Sequence, residues 1–198
     1  FGCRHLVIFD QHENGMFFLN QEFAKTYDTS RYTLVIGTVR ERHKLEETLA
    51  LYKPEIVFHA AAYKHVPMIE IAATEAVKNN VMGTLNVIEC AEAAGVEKFV
   101  LISTDKAVNP SNIMGASKRI AEMLIETRGK TFKMKMAAVR FGNVLGSNGS
   151  VIPIFLKEIK EGGPITLTDR NIKRYFMSIP EAVRLVLQTG AFASSGEI

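Results

Sequence analysis

The chain has 198 residues, 47% hydrophobic and 23% charged, with a formal net charge of +3. This is the balance of an ordinary globular protein, large enough for one sizeable core with a small appendage. Two cysteines, Cys3 and Cys90, make no disulfide framework, and no apolar run approaches the roughly 20 residues that span a bilayer. The lysines of 130–135 alternate with Phe132 and Met134, which argues for a solvated loop entering a strand and against a nucleic-acid patch. A soluble chain with no nucleic-acid partner is expected.

In chain order, His5 to Asp10 reads as a strand and Glu13 to Lys25 as a helix. Tyr32 to Ile36 is a second strand and Glu41 to Tyr52 a second helix. Glu55 to Ala62 is a third strand running into a small-residue turn. Thr74 to Ala94 places Ala76, Val77, Val81, Leu85, Ile88 and Ala91 near a 3.6-residue period, and Gly95 supplies a stop. Strand Lys98 to Ser103, helix Gly115 to Thr127 and strand Met136 to Phe141 follow. Continuously apolar strands, each followed by a helix, predict an α/β fold with a parallel sheet covered on both faces. From Asn143 onward the chain turns rich in Gly and Pro. A strand at Ile165 to Thr168 and a last helix from Pro180 to Thr189 predict a smaller lobe.

The most informative stretch is Ser103-Thr104-Asp105-Lys106, followed by Met114-Gly115-Ala116-Ser117-Lys118. It sets an acid beside a base at the end of a buried strand, with a lysine at the start of the next helix. Neighbours on a regular strand point to opposite faces. Asp105 and Lys106 can therefore serve one ligand only if the strand has ended, and Asn109-Pro110 supports a loop there. No His, Cys and carboxylate cluster has metal-ligand spacing, so no metal is expected.

Longer motifs carry a family resemblance. They are His59-Ala60-Ala61-Ala62-Tyr63-Lys64-His65-Val66-Pro67, Val77 to Thr84, Ser103 to Pro110, Val139 to Ser147 and Arg174-Tyr175-Phe176-Met177. Together, in this order, they resemble the bacterial polysaccharide-biosynthesis branch of the extended short-chain dehydrogenases/reductases. The resemblance implies a Rossmann-like doubly wound parallel sheet, with residues 1–143 in the NAD-binding domain and 144–198 in a nucleotide-sugar-binding lobe. The family's opening strand and glycine-rich phosphate turn find no counterpart, so the chain is expected to be an internal piece of a longer protein. In the order 3-2-1-4-5-6 that opening strand lies centrally, and a sheet lacking it is expected to have unpaired backbone groups and an open core.

The implied activity is a UDP-N-acetylglucosamine 4,6-dehydratase of capsule, O-antigen or glycan synthesis, with a UDP-sugar substrate. A nucleotide-sugar epimerase and a non-catalytic NAD-binding module are the alternatives. The wider group uses Tyr-x-x-x-Lys; here the tyrosine position is Met114, which has no proton to give. The acid–base work then falls to Asp105, as acid for the leaving C6 hydroxyl, and Lys106, as base at C5. These roles call for a raised Asp pKa and a lowered Lys pKa. Ser103 or Thr104 would hold the C4 hydroxyl, Lys118 would bond the nicotinamide ribose, and Met114 would pack on the ring. Asp10 would accept from the ribose hydroxyls, favouring NAD over NADP, and Ala60, Ala61 and Ala62 would let the dinucleotide approach. Asn80 resembles the asparagine that braces the active-site strand. Lys64, Asn143, Ser150, Val151 and Arg174 resemble the nucleotide-sugar contacts. Thr38 stands where the family usually has Asp, near the adenine. The resemblance further implies a homo-oligomer in the cytoplasm, with membrane association only through segments outside this chain.

Overall fold

The computed structural model describes residues 2–146, 151–167, 169–171 and 173–198. Strand β1 (Leu6–Asp10) leads through helix α1 (Glu13–Thr26) to β2 (Tyr32–Ile36), and α2 (Arg42–Tyr52) leads to β3 (Ile56–His59). A long helical passage follows: α3 (Val66–Ile71), α4 (Ala73–Ala76), a π-helical turn (Val77–Met82) and α5 (Gly83–Ala93). Then come β4 (Lys98–Thr104), α6 (Ile113–Arg128) and β5 (Lys135–Phe141). The C-terminal part holds β6 (Asn143–Val144), α7 (Val151–Lys160), β7 (Phe176–Met177) and α8 (Ile179–Phe192).

All ladders are parallel: β1 with β2, β3 with β4, β4 with β5, and β6 with β7. The Rossmann-like sheet is therefore present in two parts, β1–β2 and β3–β4–β5. The division falls where the family order puts its central strand. One core nevertheless serves both parts. Leu45 and Leu49 of α2, Val87, Ile88 and Ala91 of α5, Phe99 and Leu101 of β4, and Ala121 and Ile125 of α6 form one buried cluster, against which Phe9 of β1 and Val57 of β3 pack. The opposite face of β4 and β5 is covered by α8, where Gly190 lies against Phe58 and Val100.

Two expectations for the C-terminal part change. Residues 165–167 form no strand; the Thr166 N–H is taken by the Glu158 carboxylate of α7 at 2.9 Å, a side-chain partner in place of a ladder. Thr168 lies outside the described residues. Helix α7 is not among the expected elements; it forms between Gly- and Pro-rich flanks on the helical spacing of Val151, Ile152, Phe155 and Ile159. Helix α8 starts on a capping box, Ser178 with Glu181, and has Pro180 in its first turn. No helix among the described residues is long and apolar enough to cross a membrane.

Candidate active site

The C-terminal ends of parallel strands, where Asp10, His59 and Thr104 close β1, β3 and β4, are where ligands bind in open α/β sheets. At β4 the strand stops at Thr104 and residues Asp105–Ala107 form a single 3-10 turn. Because the alternation of the strand has ended, the two neighbours reach one another. Lys106 Nζ donates to Asp105 Oδ1 at 3.0 Å and to Asn143 Oδ1 at 3.4 Å, and Thr104 Oγ1 donates to the same Asp105 oxygen at 2.9 Å. The Lys106 and Asp105 side chains are 31% and 37% exposed, so the cluster is open to solvent on one side.

Burial pushes the Asp105 carboxyl up, but hydrogen bonds from Lys106 and Thr104 together outweigh it and hold the group below its ordinary range. The expected raised pKa is therefore not a property of this arrangement: the lysine meant to act with the acid is bonded to it.

Helix α6 abuts this turn. Asn112 caps it by accepting the Gly115 N–H at 2.8 Å. A Cβ on Gly115 would come within 2.5 Å of the Lys106 carbonyl oxygen, so only glycine permits the contact. Lys118 is 6% exposed, and its Nζ donates to the Ile102 carbonyl of β4 at 2.6 Å. Burial lowers its pKa to about 8, against the opposing pull of Glu122. Met114 is 5% exposed and packs with Ile69 and Ala76, so most of its surface belongs to this small second core.

Ser103 and Thr104 have opposite fates. Ser103 is 4% exposed, and its hydroxyl donates to Glu122 Oε1 at 2.6 Å, away from the turn that Thr104 serves. Its one proton is given to a buried carboxylate. Glu122 itself is 0% exposed. It accepts two bonds from Arg140, Nε at 2.8 Å and Nη2 at 2.7 Å, and one from Arg119 at 3.2 Å. Burial pushes this carboxyl up, but the Arg140 fork, Ser103 and Arg119 bring it below its usual range.

Asn80 lies between the loop after β3 and α6. Its Oδ1 accepts from the Tyr63 N–H at 2.7 Å and from Asn79 Nδ2 at 3.2 Å. Its Nδ2 donates to the Tyr63 carbonyl and to Ser117 Oγ, each at 3.0 Å. Both donors and both lone pairs are used. It braces the loop after β3 against α6, not the active-site strand. Beneath it, Thr84 Oγ1 gives its single proton to the Asn80 main-chain carbonyl at 2.7 Å, so His59 Nε2, 2.9 Å from Thr84 Oγ1, must be the donor to that hydroxyl. His59 is 4% exposed; burial first, and the Lys118 charge second, lower its pKa to about 3, leaving a neutral imidazole.

The other expected residues are distributed around this cluster. Ala60 and Ala61 are exposed just past β3, Ala62 is half-buried, and Lys64 is exposed on the same loop. Asp10 is exposed, with Oδ1 accepting the His12 N–H at 2.8 Å. The Thr38 hydroxyl accepts the Arg40 N–H at 3.4 Å. Asn143 joins the turn through Lys106 and pairs with β7, where its N–H donates to the Tyr175 carbonyl at 3.0 Å. A Cβ on Gly142 would lie 2.7 Å from that same carbonyl oxygen, which explains the glycine beside Asn143. Arg174, one residue earlier, is exposed and bonds the Lys173 carbonyl at 3.0 Å. Val151 begins α7 and is exposed, and Ser150 lies outside the described residues.

Sequence reasoning missed Glu122 and Arg140. The available signal was a carboxylate on the apolar stripe of α6, between Ala121 and Ile125, which demands a buried cation somewhere.

A family model described as "Polysaccharide biosynthesis protein" matches residues 1–198. The capsular polysaccharide biosynthesis protein CapD of Staphylococcus aureus is 50% identical over 200 residues, covering 100% of this chain and 33% of CapD. A UDP-glucose 4-epimerase of Rickettsia canadensis is 40% identical over 166 residues, 82% of this chain and 48% of the epimerase. Among solved structures, that of Pen from Bacillus thuringiensis superposes with a TM-score of 0.91 at 36% identity, covering 96% of this chain and 58% of Pen. The chain thus spans about a third of CapD and about half of the epimerase.

Proposed function

The chain belongs to the polysaccharide-biosynthesis branch of the extended short-chain dehydrogenases/reductases, and on that premise we propose that it carries the catalytic centre of a UDP-N-acetylglucosamine 4,6-dehydratase. The observation that carries this reading is the Asp105–Lys106 pair at the end of β4, with Met at position 114. A chain without a phenol there needs another acid and base, and these two stand 3.0 Å apart with Thr104 and Asn143 attached.

Dehydration across C5 and C6 becomes accessible once C4 is a ketone, because the carbanion left by loss of H5 is then an enolate. When bound, NAD supplies the chemistry for this, accepting hydride from C4 and returning it to C6. The residues fit such a group: exposed one-carbon side chains at Ala60 and Ala61, followed by half-buried Ala62, leave the backbone approachable, and Asp10 offers an exposed carboxylate at the end of β1. Lys118, at the base of the crevice, would hold the ribose.

In the proposed reaction Thr104 holds the C4 hydroxyl, since Ser103 is committed elsewhere, and a water relayed by Lys118 takes the C4 hydroxyl proton as the hydride leaves. Asp105 protonates the departing C6 hydroxyl and Lys106 removes H5. A sugar entering between them breaks their mutual bond. For Asp105 that removes the chief opposition to burial, so its carboxyl rises toward the range an acid needs. As the two part, the Lys106 proton passes to Asp105, which gives it to the leaving hydroxyl, and the neutral amine left behind takes H5 and returns it to C5 when hydride adds at C6. Asn143, Val151, Arg174, Lys64 and, by resemblance, Ser150 would meet the nucleotide-sugar. Arg174 would do so with a planar fork suited to a diphosphate. Residues 144–198 are read as part of that sugar-binding lobe, and the whole protein as a cytoplasmic homo-oligomer.

The Rickettsia relative favours a second reading, an epimerase that returns hydride to C4. Incubation of the protein that carries this chain with UDP-N-acetylglucosamine and NAD separates the two by mass. The dehydratase yields a 6-deoxy-4-keto sugar lighter by one water, and an epimerase preserves mass. Asp105→Asn and Lys106→Ala should each lower turnover by about 10²- to 10⁴-fold. Unchanged turnover in both variants would remove the assignment.

A further inference from the structure

Helix α6 grips β4 at two consecutive residues. Lys118 Nζ holds the Ile102 carbonyl at 2.6 Å, and one helical turn later Glu122 holds the Ser103 hydroxyl at 2.6 Å. The very next residue is Thr104, which opens the Asp105–Lys106 turn. Arg140 stands opposite Ser103 in the β4–β5 register and closes a bidentate fork on the same carboxylate. One fully buried side chain thus ties together α6, β4 and β5 immediately behind the turn.

We propose that Glu122 is a positioning residue: through Ser103 and Arg140 it fixes the end of β4 and Lys118 in one frame, and its charge keeps Lys118 an ammonium. The second half follows from the company Lys118 keeps. Among the described residues, β3 presents His59, which is neutral, and β4 presents a carbonyl. On α6, Glu122 is the negative group that acts on it. Arg140 and Arg119 bond Glu122 and supply the countercharge. With burial lowering it and Glu122 opposing, Lys118 stands at about 8, and loss of the carboxylate charge would lower it further.

The positioning role rests on the catalytic reading above, so the test includes a measurement that needs no turnover. In the intact protein, the Lys118 side-chain resonance is titrated by NMR in the wild type, Glu122→Gln, Glu122→Asp and Ser103→Ala. Glu122→Gln should lower the Lys118 midpoint by about one pH unit. It should also lower kcat by about 10- to 100-fold, with KM within about twofold. Glu122→Asp, which keeps the charge and shortens the reach, should keep the midpoint and still lower kcat. Ser103→Ala should keep the midpoint and lower kcat less. A Glu122→Gln protein that melts earlier but has the wild-type midpoint and kcat would overturn the proposal, reducing Glu122 to a packing residue. If Glu122→Gln does not fold, Glu122→Asp decides: wild-type kcat in that variant overturns the positioning role. A wild type without turnover would sink the dehydratase reading while leaving the Lys118 titration to judge the charge effect.

Discussion

Two residues apart at the end of β4, the chain treats charge in opposite ways. In front, Asp105 and Lys106 share one hydrogen bond, with each side chain about a third exposed. Behind, Glu122 is fully enclosed and accepts four bonds from three residues. The front pair can part at small cost, because exposed ion pairs contribute roughly 0–1 kcal/mol. The buried set cannot, because breaking it strands a charge where water does not reach. Groups that must exchange protons sit where their partner is replaceable; groups that must hold position sit where it is not.

The sharpest way to break this comparison is to truncate one member of each set. Glu122→Ala should lower unfolding free energy by about 3–5 kcal/mol, as expected for removing one partner of a buried charge cluster. Lys106→Ala should change it by less than about 1 kcal/mol. Chemical denaturation measures both, and equal losses would erase the distinction.

Next in size is an acid effect from His59. The folded imidazole resists protonation down to about 3, while the unfolded one titrates near 6.5. The unfolded chain therefore binds more protons between these values. The contribution of His59 is complete above pH 6.5 and is lost as pH falls toward 3, a change of order a few kcal/mol. His59→Gln, which can still donate to Thr84, should flatten that part of the stability profile. A profile identical to wild type would show that the histidine is not neutral in the fold.

The smallest effect is geometric. Gly115→Ala forces a methyl against the Lys106 carbonyl, a backbone atom that cannot swing aside. A loss of about 1–3 kcal/mol is expected, with a displaced turn seen crystallographically; a wild-type turn position would show that the α6 start has slack.

The front of this site was legible in the sequence and the back was not, for physical reasons. Asp105 and Lys106 are adjacent, and a Pro shortly after them announces that the strand is over. Lys118 follows from its spacing to Met114. The alternation of a strand puts Ser103 and Thr104 on opposite faces but does not say which of them faces the crevice. Glu122 and Arg140, in contrast, are 18 residues apart and meet only because β5 aligns Arg140 with Ser103, a register no local pattern encodes. The sequence marks Asn80 as a polar residue within a helical passage, but what it braces depends on where the loop after β3 turns back. The low position of Asp105 likewise depends on a side-chain rotamer of its neighbour.

The π-helical turn at Val77–Met82, closed by the Gly83 N–H on the Lys78 carbonyl, has a consequence for how one long helical passage is shared. An inserted residue advances everything beyond it by about 100° around the axis. Ala76, before the insertion, joins Met114 and Ile69, while Val87, Ile88 and Ala91, after it, face the main interior. A uniformly wound rod could not keep both appointments. Deleting one residue there would spin α4 and α5 out of phase, forcing one of the two apolar clusters to give up its wall.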